Sequence, residues 1–258
     1  MKFIQEYQQK LYEIYLRENL ICLSDWELVK FDGKNALQFV SENCSSVRSR
    51  VNSEGIFDLI TDDLISSISQ DIKFSLGNIY LYKELGINDF LNEQLTTPQG
   101  KTVFTYRQSL GDRRFFFYVS VGFEKLYNFW DRIGDLLCLS LDLDIETRSI
   151  YFPTVIEKIR ESNFSSENLE FLKNFSEGEY KEVLNRLRKL IVHYRQKDTY
   201  FRFEWMKHIN DKEAIEKLQQ EKDELPELLK KQMKLTIKGF ESTILLIKEY
   251  VLHLQKLG

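Results

Sequence analysis

From Asp58 to about Leu85 the residues Ile60, Leu64, Ile68, Ile72, Leu76 and Ile79 recur every three or four positions, the spacing of one helix face. This pattern predicts a long helix. A second is predicted from Asp112 to about Leu141, where Gly111-Asp112 supplies a stop and an N-cap ahead of the aromatic-rich "FEKLYNFWDRIGDLL". The stretch "SEGEYKEVLNRLRKLIVHYRQK" opens with Ser176-x-x-Glu179, a capping-box pattern, and predicts a third helix from about Glu177 to Gln196. Pro226, after the polar run "QQEKDEL", suits the first turn of a fourth, which continues through Leu228, Leu229, Met233, Ile237, Phe240, Ile244 and Val251. An N-terminal helix, a shorter one after Pro153 and another near Glu167 to Asn174 complete the set.

Residues 20–57 and 96–110 mix polar, glycine and β-branched residues without a period, and read as connections with room for a short hairpin. Only three prolines and eleven glycines interrupt the chain, which favours long helices over a turn-rich β architecture. The predicted fold class is all-α: a bundle of about four long helices with additional peripheral helices. With no repeat or linker visible, residues 1–258 are expected to form a single helical domain, in which 1–57 make an N-terminal helix and irregular extension and 58–258 the bundle.

Composition changes this picture little and charge more. A chain that is 43% hydrophobic and 29% charged has the material for a substantial core. Its formal net charge of −4 argues against a general nucleic-acid coat protein, so any contact with RNA must be local. The start "MKFIQEYQQKLYEIYLREN" spreads charges through its apolar pattern and reads as an amphipathic helix rather than a secretory signal. The longest apolar runs, near "RRFFFYVSVGF", fall short of the roughly 20 residues that span a bilayer, so no membrane association and a cytoplasmic location are expected. Cys22, Cys44 and Cys138 are far apart and lack metal-ligand spacing to one another or to the histidines. They read as buried or incidental thiols, and neither a metal nor a cofactor is predicted.

One helix stands apart. At about 100° per residue, Tyr180, Val183, Leu184, Leu187, Leu190, Ile191 and Tyr194 fall within a stripe of roughly 120°, which should face the core. On the remaining surface lie Arg188, Val192, Lys189, His193 and Arg186, in that angular order. Val192 is either a singly exposed valine or a contact with another helix or a second copy, and the latter would bring Arg188 and His193 near their symmetry mates. Between Lys181 and Arg202 there are seven lysines and arginines against two acids, a local balance of +5 in an acidic chain. Part of this complements a helix C-terminus; it also suits phosphate, because guanidinium groups offer planar paired donors to phosphate oxygens.

The run "RKLIVH", Arg188 to His193, resembles the R-x4-6-H signature of HEPN domains (higher eukaryotes and prokaryotes nucleotide-binding): an Arg, a polar residue (here Lys189), an apolar run and a His. Arg186 fits the six-residue spacing but is followed by apolar Leu187, so Arg188 is preferred and Arg186 is an auxiliary. The resemblance extends over about residues 58 to 256. It implies a HEPN-like bundle, homodimerisation through the motif helix, and metal-independent endoribonuclease activity of the kind found in toxins and antiphage effectors, or else a non-catalytic module binding a nucleotide, an RNA or a protein partner. An antitoxin or other regulatory protein is a further implied partner. Some relatives carry a Tyr two residues after the His that a partner nucleotidyltransferase modifies; that position here is Arg195.

The chemistry of the pair agrees with cleavage. A 2′-hydroxyl attacking the adjacent phosphorus must lose a proton while the leaving oxygen gains one, and imidazole, titrating near neutrality, serves either role. Arg188 can neutralise charge developing on the phosphoryl oxygens. His193 and Arg188 are therefore the candidate catalytic residues, with Arg186, Lys189 and Arg195 for substrate contact. Along one helix Arg188 and His193 stand about 140° apart, so a composite site across a dimer would bring them together better. His208 and His253 lack basic company, and Asp131, Arg132 and Asp135 in "NFWDRIGD" read as intrahelical charge pairs.

Overall fold

The computed structural model describes residues 2–51, 55–162, 164–186 and 197–257. The fold is all-α with one small hairpin. Helices α1 (Lys2–Arg17), α2 (Ala36–Asn43), α3 (Ser45–Val51) and α4 (Ile56–Asp62) come first, and α4 passes through a π-helical turn, Asp63–Ile68, into α5 (Ser69–Gly86). Strands β1 (Glu93–Thr96) and β2 (Thr102–Thr105) follow, then α6 (Leu110–Leu141) and α7 (Phe152–Arg160). Helix α8 (Glu167–Phe175) runs on into a π-helical segment, Ser176–Asn185; α9 (Lys197–Lys207) and α10 (Lys212–Leu257) end the chain.

Several boundaries differ from those the sequence predicts, each for a local reason. Asp112 is not an N-cap. Helix α6 starts at Leu110, and Ser109 with Asp112 forms a capping box: the Asp112 amide donates to Ser109 Oγ at 3.0 Å and the Ser109 amide donates to Asp112 Oδ2 at 2.8 Å. Ser176 is not an N-cap either. Its amide donates back to the Leu172 carbonyl and its side chain is buried, so the cap of that helix is Ser166, whose hydroxyl accepts from the Leu169 amide. Pro226 lies inside α10 rather than at its start. It removes one hydrogen bond to the preceding turn, yet the buried stripe Ile215, Leu218, Leu225, Leu229 continues on both sides, and packing outweighs that loss. Within residues 20–57 the helices α2 and α3 replace the expected irregular connection. Helix α2 is announced by a reciprocal box in which the Gln38 amide donates to Asn35 Oδ1 (3.0 Å) and the Asn35 amide to Gln38 Oε1 (3.2 Å). A hairpin does form at the second irregular region, pairing Glu93 with Thr105 through Thr96 with Thr102, but its first strand precedes the expected bound at residue 96.

Internal contacts divide the chain into two compact units. The first comprises the described residues of 1–20, 73–123 and 188–231. In it α1 lies against α5: Leu11 and Ile14 are buried, the Tyr7 hydroxyl donates to Asn78 Oδ1 at 2.7 Å, and the absent side chain of Gly77 leaves room for the Tyr15 ring. The hairpin is tied down where the Phe104 amide donates to the Ile209 carbonyl at 2.9 Å. Beneath it, Phe90, Tyr106, Phe116 and Phe201 make an aromatic cluster, with Phe90 and Tyr106 ring centroids 4.5 Å apart.

Lys222 stands in that cluster with its side chain 0% exposed. Its ammonium is 4.8 Å from the Phe90 ring centroid and 5.6 Å from that of Tyr106, and it donates to the Asn88 carbonyl and to Asp112 Oδ1, the latter at 3.3 Å. Burial pushes the amine below the usual lysine range, opposed by the Asp112 charge. Asp112 is equally buried and also accepts from the Asn88 amide at 3.0 Å and the Ser109 hydroxyl at 2.7 Å. One carboxylate thus joins the start of α6, the loop after α5 and the N-terminal part of α10.

The second unit comprises the described residues of 21–72, 124–187 and 232–258. Its centre is Trp130, fully buried, stacked on Phe175 at 3.9 Å and tilted against Phe152 at 5.0 Å. Gly239 on α10 faces the indole so closely that an added Cβ would enter its six-membered ring. Phe31, Phe39 and Phe240 form a second aromatic group, with centroids 5.0 and 5.9 Å apart. Cys22, Cys44 and Cys138 are buried, and burial pushes the Cys44 thiol up to about 12.

Three substitutions test these contacts in unfolding measurements. Gly239→Ala should lower Tm although alanine favours a helix interior by about 1 kcal/mol, because overpacking against the indole costs about 1–3 kcal/mol. Gly178→Ala, whose Cβ meets nothing within 4 Å, should not lower it. Lys222→Met should destabilise by about 3–5 kcal/mol in denaturant titration, since it leaves a buried carboxylate without its counter-charge. Wild-type stability in Lys222→Met would show that the pair contributes nothing.

Candidate functional site

The sequence directs attention to the helix that enters the R-x4-6-H run, and the structure describes that helix as far as Arg186. It is held from beneath by Tyr180 and Leu184, both buried. The Tyr180 ring lies 5.4 Å from Phe152 and 5.6 Å from Tyr127, and its hydroxyl donates to Asp131 Oδ1 at 3.4 Å. Glu179 accepts from Gln232 Nε2 at 2.7 Å, joining the same segment to α10. An i→i+5 hydrogen-bonding pattern runs from Ser176 to Asn185, so each residue turns less than the 100° assumed for an α-helix. The inward side nevertheless keeps two of the predicted stripe residues, Tyr180 and Leu184, with Val183 half-buried.

Along this segment a cleft of about 290 Å3 is lined by Lys173, Lys181, Asn185, Glu177 and Tyr180, among others. Lys181 and Arg186 are exposed on the same stretch of chain. Arg186 is the one predicted site residue within the described range. Arg188, Lys189, His193 and Arg195, with Val192 and Tyr194, lie outside the described residues.

Lys197, one of the cations in the basic excess that suits phosphate, is buried. Its ammonium is 3.4 Å from Glu221 Oε1 and sits 4.9 Å from the Tyr200 ring centroid, so this cation serves packing within the first unit. Arg202 is exposed.

The other polar groups singled out in the sequence have ordinary environments. His208 is exposed, 3.9 Å from Glu204 on the helix that ends just before it, and the His253 ring packs 5.3 Å from Phe164. Arg132 Nη1 donates to Asp135 at 2.9 Å, the expected pair one turn apart, and its Nε also reaches Asp63 at 3.2 Å on a different element. Asp131 instead faces Tyr180. Among the described residues no group of three or more His, Cys, Asp or Glu is placed to hold a metal ion, and no helix is long and apolar enough to cross a membrane.

Sequence reading missed the Lys222–Asp112 pair, although a signal was present. Lys222 falls on the buried stripe Ile215, Leu218, Leu225, Leu229, where an apolar residue belongs. A lysine at such a position needs a buried acid.

An all-α fold, in a chain whose sequence carries the arginine-histidine run Arg188 to His193, has the attributes of the HEPN class. The sequence profile of the HEPN_Cthe2314-like HEPN family matches residues 69–248, well over half of the chain and inclusive of Arg186 to Arg195, and the chain belongs to this family. No curated protein and no solved structure matches it.

The groups that hold this framework predict its behaviour in alkali. Burial pushes the phenols of Tyr180, Tyr80 and Tyr106 up, reinforced by hydrogen bonding to Tyr127, by hydrogen bonding to Glu227 and by the charge of Asp112, respectively. A raised folded-state value means stability that is complete below the ordinary value of 10.0 and is lost as pH climbs beyond it. Phenolate absorbance should therefore rise in two stages, exposed tyrosines first and these three together with loss of helical circular dichroism. Titration of every tyrosine as one class near 10.0, with helix intact, would contradict this.

Proposed function

We propose that this protein is a HEPN-type endoribonuclease that cleaves RNA by 2′-hydroxyl attack without a metal ion. The observation that carries the reading is the Arg188-to-His193 run inside the segment matched to the HEPN family. His193 acts as general acid or base. Arg188 binds the scissile phosphate and neutralises the charge that grows on its oxygens. Arg186, Lys189 and Arg195 contact neighbouring phosphates. The exposure of Arg186 and Lys181 supports a cationic approach on this side of the chain. A homodimer through the motif helix completes the site, because one helix alone separates Arg188 from His193 by about 140°.

The test is incubation of the purified protein with tRNA, mRNA and single-stranded oligonucleotides in EDTA, reading fragment length and end chemistry. Cleavage with 2′,3′-cyclic phosphate ends is expected. His193→Ala should reduce it about 100-fold or more while RNA affinity and helix content persist. Arg188→Ala should weaken both cleavage and binding, and Arg188→Lys should rescue little, since a point charge does not replace a planar fork. Val192→Glu should weaken the dimer, measured by light scattering, together with activity. RNA bound but never cut would favour the non-catalytic module, and a His193→Ala variant that cuts like wild type would remove the catalytic assignment.

A further inference from the structure

The second unit carries a groove that the nuclease reading does not use. It encloses about 820 Å3 between the α4 and π-turn stretch, the C-terminal half of α6 and the chain that follows α6. Its apolar side presents Leu59, 69% exposed, and Ile56, 40% exposed, beside half-buried Leu139 and Leu143. Exposed aliphatic residues gathered in a concave surface are a mark of a binding site, unlike apolar residues scattered singly.

Charge says what fits. Asp62, Asp63, Asp135 and Asp142 line the groove, and Arg132 is the cation among its described lining residues. Arg132 bridges Asp63 and Asp135, at 3.2 and 2.9 Å, which leaves Asp62 and Asp142 as the exposed carboxylates of the rim. The Cys138 thiol beneath registers the same field: burial raises it first, then the charges of Asp135 and Asp142. An anionic rim repels a phosphate backbone, so RNA is a poor occupant. A small cation would satisfy the carboxylates and leave the leucines uncovered. A helix with one apolar and one basic face satisfies both.

We propose that this groove docks a cationic amphipathic helix of a partner protein, its leucine-like face on Leu59 and Ile56 and its lysines or arginines against Asp62 and Asp142. The proposal rests on none of the Arg188-to-His193 residues and stands whether or not the protein cleaves RNA. Association should be salt-sensitive, because the rim charges are exposed and screened.

Fluorescence anisotropy with the full chain tests this, using a labelled synthetic peptide of leucine and lysine in helical register and its leucine-glutamate counterpart. The lysine peptide should bind and the glutamate peptide should not. Leu59→Asp should weaken binding about tenfold or more by placing a carboxylate under the apolar face. The double substitution Asp62→Asn/Asp142→Asn should also weaken it about tenfold and flatten its salt dependence; Asn tolerates the positive φ of Asp142. Leu59→Ser provides a second floor variant should Leu59→Asp melt early. Glu213→Lys on α10, in the other unit, should leave binding unchanged. Equal binding of both peptides, wild-type affinity in the floor and rim variants, or no binding of the lysine peptide would overturn the proposal. So would self-association of the wild-type protein that Leu59→Asp abolishes, since the occupant would then be a second copy.

Discussion

A lysine ammonium removed from water must find its counter-charge and its hydrogen bonds within the reach of one side chain. Lys222 meets that demand with a carboxylate, a backbone carbonyl and the faces of aromatic rings. The consequence spreads beyond the pair. Asp112 can accept from Lys222 only because Ser109 caps α6 at Leu110 and because Asn88 turns its amide inward, so one buried charge fixes the start of α6, the exit from α5 and the register of α10 in the first unit. Replacing such a pair by apolar residues of equal volume can be neutral, but removing one partner leaves the other stranded. The sequence therefore has to keep both.

The helix that enters the HEPN motif rests on a different kind of support. Tyr180 is wedged among aromatic rings, Leu184 is buried, and Glu179 is held by a glutamine of α10. A π-helical segment inserts extra residues without breaking the helix, and such insertions shift which residues point inward. The basic surplus around the motif is smaller at the surface than in the sequence, because Lys197 turns in to meet Glu221. Charge along the sequence is thus uneven: lysines and arginines concentrate between residues 181 and 202, while exposed carboxylates rim the groove between α4 and α6.

The sequence by itself determined the helical class, three of the four long periodic stretches and the family, because amphipathic spacing and a short motif are properties of neighbours along the chain; the stretch from Glu177 to Gln196 lies in part outside the described residues. Capping was legible only in part. The pattern at Ser176 looked like a start, yet the helix passed through it, since a buried Ser176 whose amide returns to Leu172 continues the coil. Asn35 and Gln38 formed a box that the irregular composition around them concealed. Pro226 looked like a first turn and lies in mid-helix. At Pro226 the local signal was outweighed by the buried stripe of α10 on both sides of it. Only the tertiary structure could show that Lys222 and Lys197 are internal, that Asp112 is a shared acceptor and that Arg132 reaches Asp63, because the energy of a charge depends on what surrounds it in space, and spacing along the chain does not record that.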